Sequence, residues 1–315
     1  MAKIFVDGQE GTTGLKIFER LKDRPELTLI RIDPEHRKDP AARADCINQA
    51  DVAFLCLPDA AAREAVALCE NPDTVIIDAS TAHRTAPGWA YGIPELSPAH
   101  RFALQSAKRI ANPGCYASGF IVPVYPLVQS GVIAPDCPLT VNALSGYSGG
   151  GKKMIAQYEA KPREAKLEAP RAYGLTLAHK HLPEMAAVTG LTCKPLFIPT
   201  VAGFYQGMTV SIPLPRRLMA RDMDAGGVRE LLAQHYAGEP FIRVMEAGTG
   251  GLDGGFMDAQ GCNGTNRMDL FVFGNEENVL IVSRLDNLGK GASGAAVQCM
   301  NLALGLEETR GLRRM

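Results

Sequence analysis

From residue 3 to about residue 80, short apolar runs alternate with stretches whose apolar residues recur at helical spacing. KIFVD (3–7) reads as a strand, followed by a glycine-rich turn and a helix over LKIFERLKD (15–23). LTLIRI (27–32) is a second strand. PAARADCINQA (40–50) is a helix whose Pro40 sits in the first turn, where a missing N–H costs nothing. DVAFLCLP (51–58) is continuously apolar, as strands buried on both faces of a parallel sheet are. DAAAREAVALCE (59–70) follows as a helix with Asp59 as its expected N-cap, and TVIIDAS (74–80) is the next strand. Strand–helix alternation with short connections predicts a Rossmann-type, doubly wound α/β domain.

The pattern changes after residue 114. PLTVNALSGYS (138–148), PLFIPTVAGF (195–204), GMTVSIPLP (207–215), DLFVFGN (269–275) and NVLIVSRLDN (278–287) read as strands of a second, mixed sheet in an α+β region. Helices are expected at 224–237 and 290–305. The last follows the glycine-studded KGASGAAVQ (290–298), so the C-terminus is expected to return to the first domain. The expected division is 1–114 with 291–315, and 115–290.

Composition adds mainly exclusions. With 46% apolar and 21% charged residues and a formal charge of −1 over 315 residues, nothing suggests a nucleic-acid surface. MAKIFVDG is too short for a signal peptide, and no run of 18 apolar residues offers a membrane span; a cytoplasmic protein is expected. The eight cysteines form no CxxC pair and none lies near a histidine at metal-ligand spacing, while His179 and His181 could share a metal but have no third ligand at suitable spacing, so no metal is expected. Most lie in apolar runs and read as reduced core thiols.

Two turns carry chemistry. In VDGQEGTTGL, Gly8, Gly11, Thr12, Thr13 and Gly14 lie between strand and helix, where backbone N–H groups and a helix N-terminus receive a pyrophosphate. The spacing is GxxGxxG, so position at the first βα turn carries the argument more than the motif. Asp33 could reach a ribose hydroxyl, while His36, Arg37 and Lys38 suit a 2′-phosphate, favouring NADP(H). Glu10 is expected to point away from the phosphates.

In KRIANPGCYASGF (108–120), a short strand runs into Asn112-Pro113-Gly114, and Cys115 opens a helix. There the helix dipole and loose N–H donors favour thiolate and can hold an oxyanion. Pro123 and Pro126 are expected to limit regular helix to its first turns. LAHKHLPEM (177–185) crowds His179, Lys180 and His181 together, with Glu184 behind; a histidine here is a candidate acid/base, and Glu184 could orient it or bind substrate.

With ANPGCYAS (111–118) and HKHLPEM (179–185), the chain resembles the N-acetyl-γ-glutamyl-phosphate reductases, particularly their short form. DGQEGTTGL, DASTAHRT (78–85), YGIPEL (91–96), SGYSGGGK (145–152), FYQGMTVSIPL (204–214) and KGASGAAVQCMNL (290–302) extend the resemblance along the whole chain. It implies a nicotinamide domain, a catalytic α+β domain and a homo-oligomer, dimer or tetramer. It implies NADPH-dependent reduction of an acyl phosphate to an aldehyde with release of inorganic phosphate, Cys115 being the nucleophile and His181 the acid/base. Ser148 and Gly149 would meet the nicotinamide side, with Lys290 and Gly291 also at the cofactor. Arg84, Asn112, Ser145, Lys180 and Glu184 would serve the substrate. Lys152 departs from the arginine of the longer forms. Rival readings are aspartate-semialdehyde dehydrogenase, an aminoadipate-type reductase, an NADP-binding regulatory protein and a cysteine hydrolase.

Overall fold

The structure is a computed structural model that describes residues 1–249 and 252–314; Met315, the last residue of the expected first domain, lies outside them. The chain forms two compact units, residues 1–114 with 292–312, and residues 115–291 with Arg313 and Arg314.

The first unit begins β1 (Ala2–Asp7), α1 (Thr12–Leu21), β2 (Leu27–Ile30), α2 (Pro40–Gln49), β3 (Val52–Leu55) and α3 (Asp59–Ala67). It continues through β4 (Val75–Asp78), β5 (Ala90–Tyr91), α4 (Pro98–Ser106) and β6 (Arg109–Ala111). Its six strands lie in the order β2-β1-β3-β4-β6-β5, all parallel. Both faces are covered, which is why β3 and β4 are buried at every position. On one face Phe5, Ala53, Leu55 and Ile76 meet Cys46 and Ile47 of α2 and Ala65 of α3. Strand order reverses between β1 and β3, the switch point at which doubly wound sheets bind ligands, and the glycine turn follows β1 directly.

The second unit contains α5 (Cys115–Gln129), β7 (Thr140–Gly146), α6 (Gly151–Glu159), β8 (Arg171–Ala172), α7 (Leu182–Thr189), β9 (Leu196–Ala202) and β10 (Met208–Pro215). Then come α8 (Ala225–His235), β11 (Ile242–Val244), β12 (Met268–Gly274) and β13 (Asn278–Leu285); α9 (Gly294–Ala303) belongs to the first unit and packs on α1, α4 and β4. The seven-stranded sheet has the order β11-β12-β13-β10-β7-β9-β8 and mixes parallel pairs (β7/β9, β11/β12) with antiparallel ones. Along β10, Met208, Val210, Ile212 and Leu214 are fully buried, while Thr209, Ser211, Pro213 and Pro215 stay partly exposed. The period of two tells which face α5 covers.

Two local expectations are corrected. Asp59 is the first helical residue of α3 and Pro58 its N-cap; the carboxylate instead accepts from the Thr81 amide (2.9 Å) and hydroxyl (2.6 Å). The second correction is α5, which runs unbroken for 15 residues through Pro123 and Pro126. Each proline removes the N–H that the carbonyl four residues earlier would receive. Those carbonyls find other donors: Gly119 O accepts from Ser283 Oγ at 2.6 Å, and Val122 O from the Tyr236 hydroxyl at 2.5 Å.

Candidate active site

Cys115 is the first residue of α5 and is partly exposed, whereas residues 116–124 that follow it are all buried. At this position the following backbone amides have no partner within the helix. Gly291 presses on the cysteine: a Cβ added to it would stand 2.8 Å from Cys115 Cβ and 3.3 Å from its Cα. That glycine is held by a loop built on Asp286, fully buried, whose carboxylate accepts from the amides of Leu288 (2.8 Å) and Gly264 (2.9 Å) and whose carbonyl accepts from Gly291 N (2.9 Å).

Tyr116, next in the chain, is buried and touches both histidines, with ring centroids 5.9 Å from His179 and from His181. Its hydroxyl accepts from Tyr173 (3.1 Å) and hydrogen-bonds Ser145, whose own hydroxyl donates to Gly146 O (3.1 Å). Burial, reinforced by Tyr173 and Cys115, drives the Tyr116 phenol well above its ordinary range, so it stays protonated. His181 is buried and is the N-cap residue of α7; its backbone N–H donates to His179 Nδ1 (3.2 Å). Burial, then the charge of Lys180, pulls His179 down to about 4, and the neutral ring is what that N–H needs as acceptor. Glu184 is buried in the first turn of α7, and Lys180 is exposed.

The second unit therefore brings Cys115, Ser145, His181 and Gly291 into one neighbourhood with Tyr116, Tyr173 and His179. Ser148 accepts from Asn287 Nδ2 (2.9 Å), whose Oδ1 takes the Gly207 amide (2.8 Å); Gly149 lies between Asn287 and Ser145. Lys290 is buried with its ammonium over the Phe241 ring at 5.8 Å. Tyr116, Tyr173, Asp286 and Asn287 escaped the sequence reading. For Tyr116 a signal existed, its place beside the cysteine in GCYAS; for the others it was hidden in the tertiary pairing.

The first unit holds the nucleotide-type residues. Gly8 has φ +80°, and a Cβ there would lie 2.4 Å from Cys56 O, so only glycine permits this turn. Gly11 N donates to Gly8 O (2.9 Å), and Thr12, Thr13 and Gly14 form the first turn of α1. Thr12 Oγ1 is buried with no hydrogen-bond partner among the described residues. An orphaned hydroxyl at a helix N-terminus beneath a glycine turn fits the pyrophosphate of a dinucleotide. Under the turn, Asp7 is buried against Arg43 (2.9 Å). Arg37 is half-exposed and ion-paired with Glu10, whose side chain does point to solvent.

Arg84 donates to two backbone carbonyls, Asn112 O (3.0 Å) and Ala79 O (3.1 Å). Its loop is organised by buried Asp78, which bonds Ser80 Oγ (2.6 Å) and His83 Nδ1 (2.7 Å), with His83 stacked on Trp89 at 4.1 Å. Asn112 is buried; its amide donates to Ala292 O (3.1 Å), and its Oδ1 has no partner among the described residues.

A parallel sheet with a phosphate-type turn, a mixed sheet, and a cysteine at a helix start whose neighbour Tyr116 packs on two histidines together describe a class: dinucleotide-dependent, phosphorylating aldehyde dehydrogenases. Family models agree, the semialdehyde dehydrogenase NAD binding domain matching residues 32–103 and the dimerisation domain residues 115–287. The chain belongs to the semialdehyde dehydrogenase family and, within it, to the N-acetyl-gamma-glutamyl-phosphate reductases. It is 48% identical to N-acetyl-gamma-glutamyl-phosphate reductase 2 of Nostoc sp., over 98% of this chain and 99% of that one. It is 45% identical to the enzyme of the same name from Pseudomonas putida, over 98% of each. In fold it matches aspartate semialdehyde dehydrogenase II of Vibrio cholerae with a TM-score of 0.73 at 16% identity, covering 97% of this chain and 98% of that one.

Proposed function

We propose that this chain reduces N-acetyl-γ-glutamyl phosphate to N-acetyl-glutamate semialdehyde with NADPH, releasing inorganic phosphate through a thioester on Cys115. The observation that carries the reading is Cys115 itself: a partly exposed thiol heading an otherwise buried helix, with Tyr116 beside it packed on His181. Identity of 48% and 45% to reductases of that name, over 98% of this chain in each case, supports the substrate.

The helix start favours thiolate at Cys115, which attacks the acyl carbon as the bond to the phosphate oxygen breaks. NADPH, when bound, supplies the hydride; Gly8, Gly11, Thr12, Thr13 and Gly14 would hold its pyrophosphate, with Arg37 toward the 2′-phosphate and Ser148, Gly149, Lys290 and Gly291 toward the nicotinamide side. His181 protonates the oxygen that becomes negative as the thioester is reduced. It takes that proton back when the aldehyde forms and the thiolate leaves. Arg84, Asn112, Ser145, Lys180 and Glu184 are assigned to the substrate. Residues 1–114 with the C-terminal return serve the nucleotide and 115–290 the chemistry. The partly exposed face of the mixed sheet, along Asn142, Leu144, Ser211 and Pro213, is where a second copy docks.

The test runs the reaction backwards. N-acetyl-glutamate semialdehyde, phosphate and NADP should yield NADPH, and aspartate semialdehyde should not; Cys115→Ser should abolish turnover while NADPH still binds. Preference for aspartate semialdehyde, or normal turnover by the serine variant, overturns the reading.

A further inference from the structure

Cys137 and Cys193 lie in the lead-ins to β7 and β9, outside the site described above. Those strands pair in parallel from Thr140 opposite Leu196 onward, and the segments that carry the two cysteines run side by side just before that ladder begins. They are held together on either side of the cysteines by Thr192 N to Pro135 O (2.7 Å) and Leu196 N to Leu139 O (2.9 Å). Between those two bonds the Cys193 side chain reaches across to the backbone of Asp136 and Cys137, with Sγ 3.6 Å from Asp136 O. Cys137 is buried, its thiol directed to Leu218 O (3.5 Å); Cys193 is partly exposed, its Sγ 3.4 Å from Cys137 O. A sulfur in contact with the neighbour's own carbonyl, between two backbone bonds that hold the segments together, brings the two side chains within reach of the short Cβ–Cβ separation that a disulfide needs.

We propose that Cys137 and Cys193 form a peroxide-oxidisable dithiol, a modification site distinct from Cys115. The accessible sulfur of Cys193, as thiolate, attacks a peroxide oxygen: an S–O bond forms, the O–O bond breaks, and the departing hydroxide takes up the thiol's proton as water. Cys137, deprotonating as it turns from Leu218, then attacks that sulfur, forming S–S and expelling hydroxide, which takes up the proton as water. Two thiols are oxidised by two electrons and one peroxide is reduced to two waters. Burial, with the neighbouring Cys193 and Asp136, raises the Cys137 thiol, which gives the order of events: Cys193 reacts first and Cys137 resolves.

The experiment treats the folded, full-length protein with hydrogen peroxide, blocks remaining thiols, and maps peptides without reduction. The expected result is a Cys137–Cys193 linked peptide that dithiothreitol removes, that Cys193→Ser abolishes and that persists in Cys115→Ser. The link should raise the melting temperature by roughly 5 °C, because it closes a long loop in the unfolded chain. Cys193 found over-oxidised or still alkylatable beside an unmodified Cys137, a link formed only in denaturant, or a linked protein that melts lower would each overturn the proposal.

Discussion

At the scale of single residues, His179 makes a prediction that separates it from its neighbour. Its folded pKa, about 4, lies below the unfolded value near 6.5, so the folded state binds fewer protons between them. The stability it contributes is therefore complete above about pH 6.5 and is lost as pH falls toward 4, where protonated Nδ1 can no longer accept the His181 N–H. Melting temperature against pH should decline through that window, and His179→Asn, which keeps an acceptor and does not titrate, should decline less steeply. An identical slope in the variant would assign the acid sensitivity elsewhere. His181→Asn addresses the chemistry instead: kcat should fall roughly 10²–10⁴-fold with the pH profile altered. An unchanged rate and profile would move the acid/base role to another group.

Much at this scale was legible because it is local. A glycine turn after a strand and a cysteine after Asn-Pro-Gly state their backbone demands within a few residues. Tyr173 and Asn287 were not legible, since each acts through a partner far along the chain, Tyr116 and Ser148, and nothing in their own surroundings marks them.

At the scale of elements, α5 shows where reading along the chain fails. Pro123 and Pro126 correctly signal two lost amides, yet the replacement donors come from 164 and 114 residues away. Local rules price the loss and cannot see the repair. Ser283→Ala should therefore leave Gly119 O buried without its donor and cost about 1–3 kcal/mol in denaturant unfolding. Pro123→Ala restores an amide to that carbonyl, so the double variant should lose less than the two single changes summed. Strict additivity would mean that the serine and the proline do not share the carbonyl. The strand pattern fared better, since a period of two in β10 and continuous burial in β3 and β4 follow directly from one covered face or two.

At the scale of the molecule, the doubly wound sheet and the mixed sheet were both visible in the spacing of apolar runs. Helix α9 returns to the first unit from the far end of the chain, and Ala296, Val297 and Met300 are fully buried there. Truncation after residue 291 should strip that helix from the parallel sheet, and the shortened chain should lose cooperative thermal unfolding and NADPH binding, measured by calorimetry and fluorescence titration. Retention of both would show that the sheet stands without it. The borrowed donors of α5 carry one more implication. A helix that needs a strand and another helix to supply two of its bonds gains little by forming early, so its first residue acquires its setting only when the surrounding unit is assembled. On the role proposed for Cys115, a half-made or damaged chain carries that thiol without its helix start, and its reactivity toward electrophiles becomes a report on whether the fold is finished.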